Sequence, residues 1–187
     1  MIVRHGATEW SESGRHTSRT DLPLLPVGRE RARVLANVLQ PAAFETVLCS
    51  PLLRARETCE LAGFGERAEI IEDLREWDYG EYEGLTTDEI HERDPRWLLW
   101  RDGCPGGELP GEVAARADRV LSRVVSGGAS GATIAFAHGH VLRVVAARWI
   151  ELGPEGGARL ALSPAAVGSL GHERETRVVD RWNVAWP

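Results

Sequence analysis

The chain is 187 residues long, 43% hydrophobic and 27% charged, with a net charge of −6. Such a length and composition suit one globular domain with a substantial core. The acidic balance argues against a general nucleic-acid binder, and no apolar stretch is long enough to span a bilayer, so no membrane partner is expected.

All 22 basic residues are arginine. Without lysine, a Schiff base and a P-loop are both excluded, since each needs a lysine amine. Cys49, Cys59 and Cys104 form no CxxC pair and read as buried or free thiols, not as a zinc site or a disulfide framework. No basic segment followed by an apolar one marks the N-terminus, and a cytoplasmic protein is the expectation.

Residues 1–3 are a short apolar run ending at Arg4-His5-Gly6. Pro26 opens a helix over residues 27–39, where Ala32, Leu35, Ala36 and Leu39 share a face. Residues 46–49 read as a buried strand. Ser50 as N-cap and Pro51 at the first helical position then start a helix with Leu52, Ala55, Cys59 and Ala62 on one face and Gly63 as its stop. Residues 68–71 predict another strand.

A polar, aromatic-rich excursion follows from Glu76 to Leu109, with a short helix near residues 87–93. Residues 112–125 are strongly helical, and 127–131 form a glycine-rich loop that lacks the ending of a phosphate loop. Residues 133–137 make the clearest strand and 141–152 the helix after it. Residues 167–170 and 177–182 pair as late strands. Strands alternating with helices predict a three-layer α/β/α sandwich with a mostly parallel sheet, in which ligands gather at the carboxyl ends of the strands.

His5 and His138 fall at two such ends, and Arg54 lies one helical turn past a third. A neutral imidazole is a competent nucleophile at phosphorus, and Arg4 beside His5 would offset the charge of a phosphoryl group. Gly6 would let the backbone approach a ligand closely. Arg54, in a first helical turn, would face the strand ends, whereas Arg56 would face away. His138-Gly139-His140 reads either as a metal-binding pair or as a phosphate site at a helix N-terminus. The second reading is favoured, because no HExxH or aspartate cluster supplies further metal ligands. In that role His138 would be protonated. Within residues 74–85, burial against Trp77 would push Glu76 toward a general-acid range, but composition does not choose between Glu76 and Asp78.

Three stretches together carry a resemblance: Arg4-His5-Gly6-Ala7-Thr8-Glu9-Trp10, Ser50-Pro51-Leu52-Leu53-Arg54-Ala55 and Phe136-Ala137-His138-Gly139. In this order they resemble the histidine phosphatase superfamily, which is phosphoglycerate mutase-like in fold. The resemblance implies that His5 is the nucleophile, that Arg4, Arg54 and His138 hold phosphate, and that Glu76 rather than Asp78 is the proton donor. It also implies substrate contacts at Ser11, Thr17 and Tyr79, with His140 lining the pocket. Gly14-Arg15-His16-Thr17, the run from Leu74 to Gly80, the run from Trp100 to Cys104 and Gly107-Glu108 look like the subgroup of sedoheptulose-bisphosphatase-like enzymes and actinobacterial acid phosphatases.

The activity so implied is hydrolysis of a small phosphorylated metabolite, such as a sugar phosphate or bisphosphate, through a phosphohistidine. It involves neither metal nor cofactor, and inorganic phosphate is the product. Mutases carry Arg-His-Tyr-Gly where this chain has Trp77-Asp78-Tyr79-Gly80, and the enclosing insertions of the mutases are absent here. Both departures favour hydrolysis over return of the phosphoryl group. A phosphoglycerate mutase and a non-catalytic phosphate-binding module are the alternatives. One domain over residues 1–187 is expected, with 79–109 as a lid in which Trp97, Trp100 and Arg101 suggest substrate contacts. A homodimer is compatible with the sequence.

Overall fold

A computed structural model describes residues 1–126 and 131–186. Six strands form one sheet: β1 (Ile2–Arg4), β2 (Phe44–Cys49), β3 (Ala68–Ile70), β4 (Ala132–Ala137), β5 (Val167–Glu173) and β6 (Thr176–Val184). Their order is β3-β2-β4-β1-β5-β6. The first four run parallel, and β5 and β6 extend the sheet as an antiparallel hairpin. The expected mixed, mostly parallel sandwich is therefore the observed architecture.

The period-two alternation of each strand divides the core between the faces of the sheet. Val3, Val47, Cys49, Ile134 and Phe136 pack with Leu35, Ala55 and Cys59 on one side. There lie α2 (Pro26–Val38) and α3 (Leu53–Leu61). Ile2, Leu48, Ala135 and Ala137 point the other way, toward Val113, Ala117, Val120, Val141 and Val145. Those residues belong to α6 (Pro110–Ser126) and α7 (Gly139–Trp149). All three cysteines are buried and free.

One turn differs from expectation. Ser50 does not cap α3; the N-cap is Leu52, which has no capping side chain. The first amide of the helix, Leu53 N–H, instead donates to Asp21 Oδ1 at 2.7 Å. A distant carboxylate replaces the local hydroxyl, and Ser50 is released for the site. The excursion carries α4 (Thr87–His91) and a second short helix, α5 (Leu99–Asp102). Its ends are pinned where Glu108 N–H donates to Asp78 O at 2.9 Å. The remaining helix, α1 (Glu9–Ser13), follows β1, opens with a capping box between Thr8 and Ser11 and ends at Gly14.

No helix among the described residues is long and apolar enough to cross a membrane. The loop expected at 127–131 falls, apart from Gly131, outside the described residues.

Candidate active site

The sheet delivers His5 with its backbone fully engaged. Its N–H donates to Ala137 O on β4 (2.9 Å), and its carbonyl accepts from Ala165 N–H (3.0 Å). One residue on, Gly6 N–H donates to the Thr58 hydroxyl (3.0 Å), which in turn donates to Arg54 O (2.7 Å). The missing side chain at Gly6 serves this packing and not a ligand: a Cβ there would lie 2.6 Å from Gly28 O of α2.

The His5 ring is 5% exposed. Its Nδ1 sits 2.7 Å from Gly6 O, and a carbonyl can only accept, so Nδ1 carries the proton. Nε2 keeps its lone pair. Burial, followed by the charges of Arg54 and Arg4, holds the His5 pKa well below the ordinary value. The ring is thus a neutral imidazole with one free nitrogen.

Arg4 and Arg54 supply the positive charge. Arg4 donates to Leu162 O, but its Nε is buried without a partner. Gly139 packs closely against it: a Cβ there would come within 3.2 Å of the guanidinium carbon. Arg54 is fully buried and donates to Thr17 O (3.0 Å), Ser18 O (3.3 Å) and Thr20 O (3.2 Å). Its Nε–H donates to Nδ1 of His138 at 3.1 Å.

That bond corrects the expectation of a protonated His138. An accepting Nδ1 has a lone pair, so the proton is on Nε2 and is donated to Ser50 Oγ at 2.7 Å. Burial and then the Arg54 charge hold the His138 pKa well below its ordinary value. The ring is neutral, 5.1 Å from that of His5 between centroids.

Glu76 is 6% exposed and takes the helix N-terminus that the sequence reading left to the substrate anion. Its Oε1 accepts from Val141 N–H (2.9 Å) and from Trp77 N–H (2.9 Å), and its Oε2 from His140 N–H (3.0 Å). The first turn of α7 therefore anchors a carboxylate of this chain, where the helix dipole favours negative charge.

A cavity of about 270 Å³ opens over these groups. Of the nine expected site residues it brings together Arg4, His5, Ser11, Thr17, Glu76, Tyr79 and His140. Arg54 and His138 stand behind its wall. The hydroxyls of Ser11 and Thr17 are occupied locally, donating to Thr8 O and Arg15 O at 3.0 Å each. Tyr79, whose pKa burial raises, shares a hydrogen bond between its hydroxyl and His140 Nδ1 at 2.6 Å, and His16 stacks on the Tyr79 ring.

The sequence reading missed Trp10, Arg15, His16, Thr87 and Arg143 in this lining. Trp10 lies in the first family motif, Arg15 and His16 in Gly14-Arg15-His16-Thr17, and Arg143 three residues after His140, hence on the same helical face. Conversely, Trp97, Trp100 and Arg101 do not line the cavity. Trp97 donates to Gly103 O (2.7 Å), Trp100 packs against Trp77 and under Arg143, and Arg101 pairs with Asp102 (2.7 Å). These side chains are engaged in indole packing and a local ion pair. Among the described residues no three His, Cys, Asp or Glu side chains gather into a set that could hold a metal ion.

Comparison with known proteins agrees with this geometry. Residues 1–185 match the model of the histidine phosphatase superfamily, branch 1. An acid phosphatase of Mycobacterium tuberculosis is 39% identical over 179 residues, spanning 95% of this chain and 88% of that one. A sedoheptulose 1,7-bisphosphatase of Saccharomyces cerevisiae is 40% identical over 183 residues, 82% of this chain and 68% of that one. Among solved structures, an open reading frame product of Mycobacterium tuberculosis superposes with a TM-score of 0.94 at 37% identity, covering 98% and 96% of the two chains. A mycobacterial glucosyl-3-phosphoglycerate phosphatase in complex with VO3 gives 0.87 at 26% identity, covering 98% of each. The chain belongs to branch 1 of the histidine phosphatase superfamily, a family of hydrolases.

Proposed function

We propose that this protein hydrolyses small phosphorylated metabolites, sugar phosphates or bisphosphates among them, through a phosphohistidine on His5. The observation that carries the reading is the His5 ring: neutral, with Nδ1–H tied to Gly6 O and Nε2 free near Arg4 and the buried Arg54. Relatives named for a sugar bisphosphate and a glucosylated phosphoglycerate support the substrate class.

In this mechanism substrate phosphate enters the cavity between Arg4, His5 and Glu76, with Arg54 and His138 behind it. Nε2 of His5 attacks phosphorus in line while the bond to the ester oxygen breaks, its electron pair leaving with that oxygen. The arginines offset charge on the equatorial oxygens. Glu76, held by three amides at the cavity edge, takes the proton of the phosphate monoester monoanion and passes it to the departing oxygen. Water then attacks the phosphohistidine, Glu76 takes the water proton, and the phosphorus–nitrogen pair returns to Nε2. Ser11, Thr17, Tyr79 and His140 face the rest of the substrate. Residues 79–109 act as a lid, contributing Tyr79 and Thr87 to the cavity wall.

The test is phosphate release in EDTA from sugar mono- and bisphosphates, phosphoglycerates, nucleotides and an aryl phosphate, for wild type and His5→Ala. Release by wild type and none by His5→Ala is expected. Near wild-type release by His5→Ala would refute the nucleophile, and conversion of phosphoglycerates without release would favour a mutase.

A further inference from the structure

Glu83 lies in the excursion, just past the turn at Gly80–Tyr82, and is half-buried. Among the described residues it forms a salt bridge with no arginine. Its carboxylate instead collects backbone amides: Ser18 N–H reaches both oxygens at 2.9 Å, and Thr20 N–H reaches Oε1 at 2.9 Å. A second strap holds the same loop, because His16 N–H donates to Leu85 O (2.9 Å) and Gly84 N–H to His16 O (2.8 Å).

With the amides of residues 18 and 20 drawn to Glu83, the carbonyls of Thr17, Ser18 and Thr20 face Arg54. Those carbonyls are the principal partners of a guanidinium with no solvent exposure, whose nearest carboxylate, on Asp21, is 3.9 Å away. A buried cation without a close counter-ion depends on such dipoles for its solvation. The fourth partner of Arg54 is His138 Nδ1, so its placement also sets the tautomer of that ring.

We propose that Glu83 is a positioning residue: through the 17–20 loop it holds the Arg54 guanidinium, and through Arg54 the His138 ring, in the geometry that receives phosphate. This makes the excursion that walls the substrate end of the cavity a support of the phosphate end as well. The inference rests on the proposed phosphate role of Arg54, and its test keeps the two apart.

The experiment measures the inhibition constant of inorganic phosphate and the ¹⁵N spectrum of the histidine rings, on folded protein, for wild type, Glu83→Ala, Glu83→Gln and Arg54→Ala. Glu83→Ala is expected to raise the inhibition constant by about tenfold, the scale of a lost hydrogen bond to a charged group. It is also expected to move the His138 Nδ1 signal away from that of a ring nitrogen accepting from Arg54. Glu83→Gln keeps an oxygen that accepts from both Ser18 and Thr20, so it should recover most of the affinity and the wild-type His138 signal. Glu83→Asp, whose carboxylate is one methylene short of the loop, carries the expectation of Glu83→Ala if that variant does not fold. A purely structural role would lower the yield or Tm and leave the affinity and the His138 signal of the folded fraction unchanged; that result overturns the proposal, as does equal impairment of Glu83→Ala and Glu83→Gln. If Arg54→Ala leaves phosphate affinity unchanged, the phosphate role of Arg54 fails first. If Arg54→Ala weakens binding and the Glu83 variants do not, only the role of Glu83 is lost.

Discussion

Arg54 donates its Nε–H to Nδ1 of His138 across 3.1 Å, a buried guanidinium feeding a buried imidazole. The bond requires a lone pair on that nitrogen, so both histidines are neutral rings, and the positive charge around the pocket resides on arginines: Arg4, Arg15 and Arg143 in the lining and Arg54 buried beside His138. One ring, that of His5, keeps Nε2 free. The other links Arg54 to Ser50 and keeps the guanidinium from turning.

The rate profile should reflect the neutral His5. Lowering pH inactivates the nucleophile only below its depressed pKa, so the acid limb of kcat/KM should fall below pH 6.5, the ordinary value of the group. An aryl phosphate assayed from pH 8 to pH 4, with its own ionisation divided out, measures this. A limb centred at 6.5 would mean that His5 is solvated like a free imidazole.

Stability should fall over the same range for a separate reason. His16 has its pKa lowered from 6.5 to about 4 by burial, and His5, His138 and His140 are lowered as well. Groups with depressed folded values are protonated first in the unfolded chain. Their full stability is present above pH 6.5 and is lost as pH falls toward the folded values. His16 alone should account for up to about 3 kcal/mol between pH 6.5 and 4. Denaturant titrations along that range, with His16→Phe as the comparison, check the figure; a variant with the wild-type slope would remove His16 from the account.

Glu76→Gln should separate leaving groups. Turnover of alkyl phosphates, whose departing oxygen needs a proton, should drop by about 10²–10⁴, while activated aryl esters should lose far less. Comparing kcat across the two classes decides it. Equal losses would leave Glu76 as an anchor of α7 and nothing more.

Gly6→Ala places a Cβ where Gly28 O now sits, 2.6 Å away, with backbone as the only thing that can yield. Overpacking of this kind costs about 1–3 kcal/mol, and here it also displaces His5 from its bond to Ala137. Chemical denaturation and kcat should both suffer. Wild-type values in both would show that α2 and the His5 loop are not in such close contact.

The periodicities in the sequence are local, and so were the features read from them. Apolar spacing located β2, β4, the late hairpin and helices α2, α6 and α7 within a few residues, because a face that must be buried repeats every 2 or 3.6 positions. The three family motifs singled out His5, Arg4, Arg54 and His138, and the order of strands and helices implied that their strand ends would meet. Where side-chain polarity was spent locally, as in the Arg101–Asp102 pair, the sequence was misleading, since an exposed cation near a site looks the same whether or not it is already paired.

Partners far apart along the chain were decided only by the tertiary fold. Parallel register between β2 and β4 sets Ser50 beside His138, 88 residues away, and turns an expected helix cap into a support for that ring. The docking of α7 brings His140 and Val141 amides to Glu76, 64 and 65 residues distant, and so gives the helix N-terminus to a carboxylate of the protein. Residue types and spacing determined which groups this chain could use. Hydrogen-bond directions across the folded sheet, which no local pattern encodes, decided which nitrogen of each histidine is free and which charges remain unspent.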